Sequence, residues 1–243
     1  MKNKLKLLHF IIVYPSIWLI YYVFELISKN ISDTYSMVMN LLPALLLLII
    51  SYLFYKYCEK SIILKDAHLT IIILILFAID QLSKITVSTI FSKNNIYSFN
   101  IIPNYLSITP DLNDKGSFIA SRFNINAPFV IFITLNFLIL LFIFFTYRYI
   151  FYKNQINSIN QLTFIFLFSG GLCSLIDKLF WGGSLDFLHI HNLFIADIKD
   201  IFITLGLCNF IIYNINSDYQ IKIKDLMKFI IKFLKFKGGK HES

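Results

Sequence analysis

Six apolar stretches, each about as long as the hydrocarbon core of a bilayer is thick, leave this chain few choices of fold. A core of roughly 30 Å takes about 20 helical residues, and stretches of that length fall at about 8–28, 36–57, 69–91, 126–150, 161–180 and 194–215. Backbone N–H and C=O groups in lipid must be satisfied within the segment, so such spans are helices. Only 15% of the 243 residues are charged, against about 25% in soluble domains. The sequence therefore predicts an all-α integral membrane protein with six transmembrane helices.

The distribution of charge orients it. With the N-terminus inside, 15 of the 22 Lys/Arg fall on the cytoplasmic side, including Lys2, Lys4, Lys6, Lys56, Lys60, Lys65, Arg148, Lys153 and seven in the tail from Lys222 to Lys240. That bias is the positive-inside pattern, and it places both termini in the cytoplasm. It also argues against nucleic acid as the partner of the net +8 charge. Cys58, Cys173 and Cys208 have no paired spacing, so neither a disulfide framework nor a zinc site is expected.

Two composition breaks divide the chain. Polar residues from Tyr55 to His68 separate an N-terminal two-helix extension, 1–66, from a four-helix remainder, 67–216. Segment 91–126, between the third and fourth spans, mixes β-prone residues with turn formers such as Pro103-Asn104 and reads as a small sheet or cradle at the outer membrane surface. In the tail, 217–243, Leu226, Phe229, Ile230 and Phe233 recur at helical spacing beside Lys224, Lys228, Lys232 and Lys235. This pattern predicts a basic amphipathic helix on a membrane surface, with membrane lipids as its partner.

Carboxylates in or beside membrane helices are costly and each needs a reason. Asp80 and Lys84 lie four apart in an apolar helix, either as a structural pair or facing substrate. Asp177 and Lys178 end the fifth span and read as a structural pair, Asp186 follows Gly182-Gly183, and Asp197 opens the sixth span. Asp186 and Asp197 can converge at one level of the bundle; the alternative is a pair of solvent-facing rim charges. Two carboxyls in a poorly hydrated site share one proton, which suits peptide hydrolysis. Asp200, one turn past Asp197, reads as lying outside that chemistry.

These residues carry a resemblance to the signal peptidase II family, the lipoprotein signal peptidases, over about 69–214. IDQLSK (79–84), NDKGSF (113–118), SGGLCSLIDK (169–178), LDF (185–187) and LFIAD (193–197) are similar to its five blocks, in family order. The resemblance implies catalytic aspartates at Asp186 and Asp197. It implies that Asp80, Lys84, Asn113, Phe118, Ser174, Asp177 and Lys178 bind substrate or support the site. It further implies an aspartic endopeptidase of the bacterial cytoplasmic membrane, working near the outer face without metal or cofactor. The implied substrate is a prolipoprotein already diacylglyceryl-modified on Cys. The chain departs from the blocks where Ser174 stands for Asn, Lys178 for Arg, Cys173 for Gly and Phe194 for Asn. Two rivals remain: a non-catalytic lipopeptide- or helix-binding accessory protein of the same fold, and a transporter. The transporter is disfavoured because the acidic cluster sits at one end of the bundle, not at mid-membrane.

Overall fold

The computed structural model describes residues 6–114, 128–191, 193–217, 219 and 221–238. Among them are six helical segments long and apolar enough to cross a membrane. Helix α1 is Leu7–Ile27; short α2, Thr34–Met39, leads into α3, Leu42–Glu59; α4 is Asp66–Asn94. Then come α5, Phe129–Tyr152, α6, Ser158–Ile176, α7, Ile198–Asn216, and the tail helix α8, Ile223–Gly238. Leucines such as Leu45, Leu46 and Leu138 point outward. In hydrocarbon that exposure carries no hydrophobic penalty, because lipid tails are as apolar as leucine.

α6 is the hub, packed against α4, α5 and α7. Its crossing with α7 is close because it has no side chain at Gly170, where a Cβ would stand 2.6 Å from Ile203 Cγ1 and 3.2 Å from the Lys199 carbonyl oxygen. Helix ends are chemically specified. Asn157 starts α6 and Asp197 starts α7, each through a reciprocal capping box with the residue three positions on, Asn160 and Asp200.

A four-stranded antiparallel sheet closes one end of the bundle, in the order β1 (Phe99–Ile102), β2 (Leu106–Asn113), β3 (Ser184–Ile190), β4 (Phe194–Ala196). The expected sheet in 91–126 supplies only half of it. The α6–α7 connection gives the other half, with Asn113 opposite Ser184 and Asp111 opposite Asp186. The sixth helix accordingly starts at Ile198 and not at 194, since Phe194–Ala196 pairs with Leu188–Ile190. Residues 115–127, and with them Phe118, lie outside the described residues.

The tail forms a helix, but the apolar face read as lipid-facing turns toward α5. Phe229 packs on Tyr149 and Tyr152, Phe233 on Phe145, and Leu226 is buried. A second stripe, Ile223, Met227, Ile231 and Leu234, is the exposed one. Two apolar stripes at neighbouring helical positions fit a helix that meets protein on one side and a membrane on the other.

Candidate active site

Beneath the sheet, five carboxyls and two lysines from four elements converge. Lys84 of α4 is fully buried, its Nζ 2.8 Å from Asp80, 2.5 Å from Asp177 and 2.7 Å from Asp197. A lone ammonium there would be very costly; three carboxylates around it make burial tenable. The alternatives left open for Asp80 resolve toward structure. Besides pairing with Lys84, it accepts a hydrogen bond from the Lys199 backbone N–H at 3.0 Å, tying α4 to the first turn of α7. Gln81 adds a further tie by donating to Asp177 at 2.8 Å and to Asp80 at 3.0 Å.

The expected Asp177–Lys178 pair does not form. Adjacent residues on a helix point apart, and here the last helical turn, Asp177–Trp181, widens into a π-turn. Asp177 turns inward to Lys84, while Lys178 turns the other way and donates to Ser174 Oγ at 2.7 Å. Gly182 then takes a left-handed conformation (φ +70°), and Gly183 lies so close to Asn113 that a Cβ would stand 2.7 Å from its carbonyl oxygen. This tight turn sets β3 in register and aims Asp186 at the start of α7.

Asp186 and Asp197 do converge. Carboxylate oxygens of Asp186, Asp197 and Asp200 lie within 4.8 Å of one another. Ser184 joins the first two, its hydroxyl 2.6 Å from Asp186 Oδ1 and 3.3 Å from Asp197 Oδ2. The rim-charge alternative fails, since Asp197 is fully buried and Asp186 is 7% exposed. Asp200 belongs to the site after all: it exchanges backbone–side-chain hydrogen bonds with Asp197 at 3.2 Å and lines the adjoining cavity.

The residue that the sequence reading passed over is Lys199. Its Nζ contacts Asp197 and Ser184 closely and lies 3.6 Å from Asp186 and 3.3 Å from Asp177. Three clustered carboxylates are a cation's geometry, and Lys199 brings an ammonium into it. A signal was available: a cation in the first turn of a helix opposes the macrodipole, so Lys199 needed a partner. Burial pushes the Asp186 carboxyl above the usual carboxylate range, only partly offset by Lys199. Burial acts the same way on Asp197, but the ammonium groups of Lys199 and Lys84 outweigh it and hold Asp197 below that range.

A cavity of about 420 Å³ opens beside the carboxyls. Asn113, Ser174, Ser184, Asp186, Lys178, Lys199 and Asp200 form its polar side. Asp80, Lys84, Asp177, Asp186 and Asp197 are thus one cluster, with Asn113, Ser174 and Lys178 along the cavity beside it.

Six membrane-length helices enclosing a buried carboxyl cluster under a small sheet place the chain among multi-pass membrane proteins. A solved structure of the same fold is a bacterial membrane enzyme determined in meso at 2.3 Å resolution. It is 23% identical with a TM-score of 0.50, over 65% of this chain and 96% of that one. Another bacterial membrane enzyme structure determined in meso, at 1.9 Å resolution, is 24% identical with a TM-score of 0.49, over 63% of this chain and 96% of that one. No curated protein sequence matches the chain. The family model for signal peptidase (SPase) II matches residues 72–216. The chain belongs to the signal peptidase II family, and is thereby a peptidase of the bacterial membrane.

Proposed function

We propose that the protein is an aspartic endopeptidase that removes signal peptides from diacylglyceryl-modified prolipoproteins at the outer face of the cytoplasmic membrane. The observation that carries the reading is the Asp186–Asp197 pair, two converging carboxyls whose surroundings push their proton affinities in opposite directions. Such a divergence supports a division of labour between an acid and a base. Asp197, kept ionised by Lys84 and Lys199, takes a proton from water as its oxygen attacks the scissile carbonyl. Asp186, holding its proton, donates it to the carbonyl oxygen. Collapse of the tetrahedral diol breaks the C–N bond as Asp197 gives the proton it took to the leaving nitrogen, the amine of the lipid-modified Cys, while Asp186 recovers a proton from a diol hydroxyl as the new carboxyl forms. Lys199 beside both groups stabilises negative charge as it develops.

One observation favours a second reading. An ammonium between two carboxyls also makes a stable neutral plug, which suits a non-catalytic protein that binds lipopeptide. Incubating purified protein with a diacylated prolipoprotein separates the two. Wild type should release the signal peptide. Asp186→Asn and Asp197→Asn should each lose about 10²–10⁴-fold in rate, as expected for an acid–base group. The double variant should be little worse than either, because a dyad fails as a unit. Binding of substrate without release, equal in wild type and both variants, would establish the accessory reading instead.

A further inference from the structure

The N-terminal extension lies outside the family-matched segment 72–216, yet it forms a wall of the cavity beside the dyad. Ile17, Trp18 and Tyr21 of α1 and Leu47 of α3 line that space opposite Asp186, Lys199 and Asp200. The placement is fixed by specific contacts. Tyr14 donates to Asn209 of α7 at 3.0 Å, His9 meets Asn216 at 2.8 Å, and Tyr35 donates to the Pro103 carbonyl in the β1–β2 turn at 3.0 Å.

Phe194 offers an independent sign. It stands where the family block carries Asn, and its ring packs against Trp18 at 6.0 Å and Tyr21 at 5.3 Å. A polar residue of the block has thus become an apolar one at the point where the extension docks. An amide there would be left facing two aromatic rings; phenylalanine joins them.

The resulting cavity is two-sided. Its polar wall carries Asp186 with Lys199 and Asp200, while Asp197 is buried behind it; its apolar wall, Ile17, Trp18, Tyr21, Leu47 and Phe194, meets Ile203 and Thr204 of the membrane-spanning α7. Its volume of about 420 Å³ lies in the usual range of ligand sites, about 300–1,000 Å³. A purely polar peptide segment would leave the apolar wall unmatched; a ligand with a scissile amide at one end and a hydrocarbon chain at the other fits both.

We infer that the N-terminal extension builds a slot for one acyl chain of the substrate's diacylglyceryl group, so that α1 and α3 select substrates by chain length. The inference rests on the proposed peptidase reading for its substrate. Leu47→Trp adds bulk to the apolar wall of the slot. With a prolipoprotein carrying two long acyl chains, its kcat/KM should fall by about tenfold or more. That is the effect of excluding roughly two methylenes from burial. A short-chain substrate should be cut nearly as fast as by wild type. Leu45→Trp, on the outward side of α3, is the control and should leave both rates unchanged. An equal loss on both substrates, or no loss on either, overturns the slot.

Photo-cross-linking keeps the two ideas apart. A benzophenone side chain at position 47 in the full-length protein should capture the labelled acyl chain of a diacylated lipopeptide, and excess unlabelled lipopeptide should compete. Capture of labelled bilayer phospholipid in its place assigns the slot to lipid and overturns the inference. Failure of wild type to cleave any substrate, with capture intact, removes the peptidase reading while leaving the chain-binding slot standing.

Discussion

Lys199 gives the carboxyl pair an unusual electrostatic frame. In a bare pair, repulsion between like charges retains a shared proton. Here an ammonium lies against Asp197 and within 3.6 Å of Asp186, so the two carboxyls differ by environment as well as by order of titration. The sign for pH dependence follows. As the proposed base, Asp197, held below its ordinary range, would have to be ionised, so activity should rise with pH through its titration. As the proposed acid, Asp186, pushed above its range, would have to be protonated, so activity should fall through the higher one. Lys199 lowers both carboxyls, so Lys199→Met should move both limbs of the bell-shaped profile to higher pH, read as kcat/KM for peptide release between acid and neutral pH. An unmoved profile would show that the ammonium does not face the working dyad.

At the level of helices and strands, the site depends on how close α6 and α7 lie. Gly170 allows that approach, and the atoms a side chain would strike are Ile203 Cγ1 and the carbonyl oxygen of Lys199 itself. Gly170→Val should force α7 outward, cost about 1–3 kcal/mol by overpacking, and lower activity more than a comparable change on the lipid-facing side of α6. A thermal melt in detergent together with the peptide-release rate checks it; a wild-type melt and rate would mean that the crossing is loose. The same elements show what could be read in advance. Six spans were legible because hydrocarbon imposes length and apolarity on every one of them. Asp80, Lys84, Asp177, Asp186 and Asp197 were legible because charge is rare in such helices. β3 and β4 were not, because Phe194–Ala196 is apolar enough to pass for the start of a span and its pairing partners are fixed by the Gly182-Gly183 turn. Lys199 was missed because counting charges by side of the membrane says nothing of which way a side chain points. The Asp177–Lys178 pair failed for a related reason, adjacency in sequence being separation on a helix.

For the whole molecule, the proposed mechanism would require the sheet and the carboxyls to face the outside. Reporter fusions after Lys60, Asn154 and Lys224 should all report cytoplasm, and fusions after Asn95 and Leu188 the exterior, as the charge bias predicts. An external tail would overturn that arrangement and the placement of the reaction with it. The order of the chain also bears on how such a site can be assembled. β2 must wait for β3, and Lys84 for Asp177 and Asp197, about a hundred residues further on. Contacts of such long sequence separation form late. While α4 and α6 are already made and α7 is not, Lys84 has Asp80 and Asp177 as counter-ions but lacks Asp197. The last candidate span among the described residues is therefore the one that both completes the carboxyl pair and buries it. A chain halted before Asp197 would leave Lys84, Asp80 and Asp177 without the helix that covers them, a form that membrane quality control can recognise by its unshielded polarity.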